Sequence, residues 1–112
     1  MTKVAFAIPF NEIAQFCQRW RVRELAVFGS ALREDFGLDS DLDVLVTFDP
    51  AAEWSLLDHV KMEQELEQMF QRSVDLISKR ALERSANWLL RREIVETAQV
   101  IFSEQEVADA AR

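Results

Sequence analysis

Glycine, proline, cysteine and positive charge are all scarce in this chain, and so are long apolar runs. A lone Cys17 cannot close an intrachain disulfide, which excludes a disulfide-stapled scaffold and fits a reducing cytoplasm. No apolar run approaches the ~20 residues that a membrane span requires, and no signal peptide is apparent, so a cytoplasmic protein away from membranes is expected. Thirteen basic residues against twenty acidic ones give a net charge of −7. Nucleic-acid binders need clustered lysine and arginine to meet phosphates, so no direct nucleic-acid partner is expected. Arg19, Arg21 and Arg23 form a local basic stretch beside Trp20, read as a solvated helix end or a contact patch for an acidic partner. Only two glycines occur, Gly29 and Gly37, and they lie within nine positions of each other.

What is present is ordinary globular material, 49% hydrophobic and 29% charged. Its 112 residues suffice for one domain, 1–112, with its own core. The acidic, alanine-rich stretch 103–112 reads as a frayed helix or a contact segment. Apolar spacing predicts a helix over 9–20, carrying Phe10, Ile13, Phe16, Cys17 and Trp20. A strand over 25–28, a short helix near 31–35 and a strand over 42–48 follow, the last ended by Asp49-Pro50. A helix over 54–70 is expected to turn Leu57, Val60, Leu66, Met69 and Phe70 inward. A strand over 73–77 comes next, then a helix over 80–97 with Leu82, Ala86, Leu89, Leu90 and Ile94. Gln99–Phe102 reads as an edge strand. This order predicts an α/β (α+β) fold, a small mixed β-sheet with helices packed mainly on one face.

The spacing that points to chemistry runs from Gly29 to Asp43: Gly-Ser, ten residues, then Asp-Leu-Asp. Gly29-Ser30 follows the apolar run Leu25-Ala26-Val27, so the pair is placed where a strand ends and a helix begins. Backbone N–H groups at such a turn bind anions, and glycine lets the backbone approach closely. Asp41 and Asp43 open the next strand and share one face, about 6.6 Å apart along it. Like charges at that range repel by roughly 2–3 kcal/mol at an effective dielectric of 20. A cation between them removes that cost, and carboxylates without nearby His or Cys suit magnesium or manganese. Asp75, a single charge in the apolar run Val74–Ile77, is the candidate third carboxylate. Its alternative is a strand-end ion pair with Arg72 or Lys79.

Gly29-Ser30, the ten-residue gap, Ser40-Asp41-Leu42-Asp43-Val44 and the later Asp75 resemble the signature of the DNA polymerase beta-like nucleotidyltransferase superfamily. The chain is most similar in layout to its minimal members, the MNT antitoxins of HEPN/MNT toxin–antitoxin pairs. The resemblance implies the polymerase beta-like fold, with Gly29 and Ser30 holding a triphosphate. It implies two Mg2+ ions on Asp41 and Asp43, the second metal completed by Asp75, and a phosphate contact from Arg33. It departs from the family at Ala31, where many members carry a basic or aromatic residue, and at Glu34, where many carry glycine.

The function so implied is transfer of AMP from ATP to a tyrosine hydroxyl of a HEPN toxin, held in a hetero-oligomer. Two alternatives remain: modification of a small-molecule hydroxyl, as in aminoglycoside nucleotidyltransferases, and neutralisation of the toxin by contact alone. Other prominent residues have simpler readings. His59 is expected at the surface, Cys17 in the core, and Trp54 and Trp88 in core or partner packing. Glu63, Glu65 and Glu67 read as a solvated face, and Asp35 and Asp39 as loop decoration.

Overall fold

The computed structural model describes residues 8–29 and 41–104. Helix α1 (Phe10–Arg19) follows Pro9 and buries Ile13, Phe16 and Cys17, the i, i+3, i+4 stripe of its sequence. Phe10, expected inward, is exposed, because it opens the first turn beyond the reach of the sheet. Burial pushes the Cys17 thiol up to about 12, so it is a core group and no nucleophile. Strand β1 (Val22–Phe28) begins three residues before the expected strand. Its register against β2 (Leu42–Phe48) shifts between Val22 and Glu24, and that irregularity breaks the alternation by which a strand is recognised.

Helix α2 (Leu56–Phe70) starts at a capping box in which Ser55 and Asp58 exchange side-chain and backbone bonds. It buries Met62, Leu66 and Phe70, whereas Leu57 and Val60 are exposed, against expectation. At 100° per residue Val60 stands about 200° from Met62, so both cannot face one sheet. Strand β3 (Val74–Ser78) leads into α3 (Lys79–Arg84), and α4 (Trp88–Thr97) and β4 (Gln99–Ser103) complete the order. The single helix expected over 80–97 is therefore two. Ser85 ends the first, and the Asn87 side chain accepts from Leu90 N–H to start the second. The break turns Ala86, Leu89 and Leu90 outward and leaves Leu82 and Ile94 as the buried members.

The four strands lie in the order β3-β2-β1-β4. β1 pairs antiparallel with β2 and β4, and β2 pairs parallel with β3, so the sheet is mixed as expected. Leu42, Val44, Val46, Val74 and Leu76 face the main core beneath α1 and α2. Alternate residues of the same strands face the other way, where Ala26, Phe28 and Leu45 form a smaller cluster with Leu82 and Ile94. Most of the buried apolar surface thus lies on one side of the sheet. Arg80 of α3 ties the turn after β2 in place, donating to the carbonyls of Asp49, Pro50 and Ala52 at 2.9–3.1 Å.

Candidate active site

Asp43 is the single charged residue of β2 and faces the less covered side of the sheet. Two neighbours define its surroundings. Across the antiparallel ladder it pairs with Phe28, the residue before Gly29. Gly29 has φ +67, and a Cβ built there would lie 2.6 Å from an Asp43 carboxylate oxygen. The glycine is required twice, by its left-handed backbone and by the carboxylate that fills its side-chain space. The turn and the aspartate strand, separate in sequence, are thereby in direct contact.

Across the parallel ladder Asp43 pairs in register with Asp75. Neighbouring strands run about 4.8 Å apart, and register partners share a face, so the two carboxylates stand side by side. Asp75 is exposed and pairs with neither Arg72 nor Lys79 in the described structure, so its strand-end alternative is not realised. Asp41, also exposed, stands one residue before β2, where Leu42 N–H donates to the Ser73 carbonyl and holds the two strand starts together. Ser30 and Arg33 lie outside the described residues, as do the short helix near 31–35, Ala31, Glu34, Asp35, Asp39 and most of the 103–112 tail.

These donors fit a hard divalent cation: adjacent carboxylates, solvent-accessible, with no sulfur or imidazole beside them. Among the described residues no three acidic, His or Cys side chains are already drawn together tightly enough to hold an ion.

Several residues outside the motif are placed otherwise than the sequence suggests. His59 is not a free surface residue, because its Nε2 donates to the Leu76 carbonyl at 2.8 Å. The expected solvated glutamate face is likewise engaged. Glu63 accepts from Leu76 N–H at 2.9 Å, Glu67 accepts from Val74 N–H at 3.1 Å, and Glu65 accepts from Trp20 Nε1 and pairs with Arg19. Arg21 and Arg23 reach Asp49, whose carboxyl is held below the usual range, foremost by the Ala51 N–H it accepts. The basic stretch is therefore largely spent on the chain's own acids. Trp54 packs edge-on against Trp20 and Phe48, as core packing predicts, but Trp88 is 59% exposed. No sequence signal distinguishes these glutamates from a water-facing row, since both have the same spacing.

A cavity of about 440 Å³ lies between α1, β1 and β4, lined by Cys17, Arg21, Arg23, Asp49 and Phe102, away from the aspartates. A more apolar hollow of about 490 Å³ lies on the aspartate side. Leu45, two residues along β2 from Asp43, lines it with Leu82, Trp88, Arg91 and Val95.

The family model for the nucleotidyltransferase domain matches residues 11–101, which span both the glycine turn and the three aspartates. The chain is a nucleotidyltransferase. Among its relatives is the protein adenylyltransferase MntA of Thermococcus cleftensis. That protein is 38% identical over 78 residues, 70% of this chain and 77% of its own length. The fold of this nucleotidyltransferase matches solved toxin–antitoxin structures. One, a toxin–antitoxin with AMP-PNP, aligns with a TM-score of 0.65 at 18% identity, over 92% of this chain and 80% of that one. Another, a tri-AMPylated HEPN toxin with its MNT antitoxin from Shewanella oneidensis, aligns at 0.59 and 20% identity, over 89% and 74%. Among the described residues of this nucleotidyltransferase no helix is long and apolar enough to cross a membrane.

Proposed function

We propose that this nucleotidyltransferase transfers AMP from ATP to a hydroxyl of a partner protein, a tyrosine of a HEPN-type toxin, and does so in the cytoplasm. One observation carries the reading: the Asp43 carboxylate fills the space beside Gly29 and faces Asp75 across the parallel ladder. The phosphate turn and the carboxylates thus share one surface. Gly29 and Ser30 hold the triphosphate through backbone N–H groups, and Arg33 adds a charge-assisted contact. Asp41, Asp43 and Asp75 would hold two Mg2+ ions, whose chemistry there would be to neutralise the triphosphate and lower the pKa of the hydroxyl. The hydroxyl oxygen attacks the α-phosphorus in line, the bond to the β-phosphate breaks, and pyrophosphate leaves. Asp75, the exposed carboxylate in register with Asp43, takes the hydroxyl's proton.

A protein acceptor suits the surroundings better than a free small molecule. Trp88, Leu89 and Val95 of α4 are 59–67% exposed on the aspartate side, next to the hollow that starts at Leu45. Apolar side chains left open beside a site are what a protein surface covers. Relatives named as protein adenylyltransferases and toxin–antitoxin complexes support the same choice.

The test is intact-mass analysis of a HEPN-type toxin after incubation with this chain, ATP and Mg2+. Addition of AMP units is expected, and both EDTA and the double change Asp41→Asn with Asp43→Asn should abolish it. A double variant that is inert in transfer yet silences the toxin as well as wild type would establish neutralisation by contact and overturn transfer as the means of silencing.

A further inference from the structure

Asp75 sits on β3, which among the described residues is an outer strand of the sheet, bonded through the ladder to β2 alone. Val74 and Leu76 direct their backbone groups away from β2, toward α2. That helix presents His59, Glu63 and Glu67 at four-residue spacing, a single row along its surface. Glu67 accepts from Val74 N–H, Glu63 accepts from Leu76 N–H, and His59 donates to the Leu76 carbonyl. The three bonds fall on the residues immediately before and after Asp75.

The geometry points to His59, Glu63 and Glu67 as positioning residues for Asp75, a role that rests on the transfer reaction proposed above. A strand tied on one side only can shift or fray. Asp43 stands in register with Asp75, so where this strand lies decides how the two carboxylates stand relative to one another. Carboxylate acceptors make the stronger class of hydrogen bond to backbone N–H, and here they hold the amides of the residues on either side of the aspartate. Glu63 and His59 are partly screened from water, with side chains 27% and 29% exposed, so their bonds are not freely exchanged for solvent. The row on α2 thereby fixes where the third carboxylate meets the other two. It does not touch substrate.

Glu63→Ala removes the acceptor of Leu76 N–H, whereas Glu63→Gln keeps an acceptor oxygen in its place. With the fold retained, Glu63→Ala is expected to lower kcat about 10–100-fold and to raise the Mg2+ needed for half-maximal transfer by a similar factor. The KM for ATP should move less than about threefold, because the nucleotide's phosphates are held at the Gly29 turn. Glu63→Gln should recover most of kcat. Two readouts need no activity: in the metal-free protein the Leu76 amide exchanges faster in Glu63→Ala but not in Glu63→Gln, and Mn2+ binds the alanine variant more weakly. A folded Glu63→Ala variant with wild-type kcat, Mg2+ dependence and Mn2+ affinity overturns the inference. If that variant does not fold, His59→Phe removes the bond to the Leu76 carbonyl and the 3.9 Å approach to Glu63, leaves both amide acceptors in place, and is judged by the same outcomes. Wild-type protein that transfers no nucleotide would defeat the proposed function instead, and amide exchange with Mn2+ titration would still decide the role of the row.

Discussion

The two faces of the sheet are built to different standards. Beneath α1 and α2, Ile13, Phe16, Leu42, Val44, Val46, Met62 and Leu66 are closed off from water entirely. Beneath α3 and α4 the cluster is smaller, and the outer helix leaves Trp88, Leu89 and Val95 in contact with solvent. The aspartates lie on the second face. Carboxylates that must meet ions and a phosphate chain would be costly under a sealed core and cost little on a half-open one. One side of the sheet therefore supplies stability, and the other gives it up for access.

This contrast can be broken by substitution, first on the closed side. Leu66→Ala should cost about 2–5 kcal/mol, since the fully buried side chain leaves a cavity that the fixed sheet cannot collapse. At about 4–8 °C per kcal/mol, thermal melting would fall by roughly 10 °C or more. A shift of only a few degrees would show that the core is looser than its burial indicates.

A smaller loss of stability is expected at the boundary of the two functions. Gly29→Ala forces a left-handed backbone on alanine, about 1–2 kcal/mol, and pushes its methyl into the Asp43 carboxylate. Transfer should fall further than that destabilisation explains, because Asp43 must move. Equal losses in melting temperature and activity would separate Gly29 from the site. The smallest effect on folding belongs to the open face. Val95→Ser should change stability by no more than about 0.5 kcal/mol yet weaken capture of the partner protein, measured by calorimetric titration. Undiminished affinity would remove α4 from the contact surface.

The part of this architecture legible in the sequence is the part where chemistry and periodicity coincide. β2 appears over its full length because an apolar run is bracketed by Asp41 and Asp49. Gly29 lies against Asp43, and Asp43 stands in register with Asp75, through one antiparallel and one parallel pairing. The failures have a common origin. Leu57, Val60, Leu89 and Leu90 are apolar at helical intervals but belong to faces that this chain does not cover. Pattern alone reports that a side chain is apolar, and says nothing of whether a partner within the same chain is available. The opposite error occurs at His59, Glu63 and Glu67. Polar residues at the same intervals look water-facing, although their partners are backbone groups 7 to 17 residues away. The break at Ser85–Asn87 was visible only as a weak cap, Asn87 with no glycine or proline to mark it.

The bonds that α2 makes to β3 carry a further consequence for a cell crowded with nascent chains. A strand at the margin of a sheet with vacant amides and carbonyls is a template on which a misfolded neighbour can add another strand and start an aggregate. Here the outward amides of Val74 and Leu76 are already occupied by glutamate oxygens, and the Leu76 carbonyl by an imidazole. An intruding strand would have to displace charged side chains before forming its first bond, so this margin offers such growth little foothold.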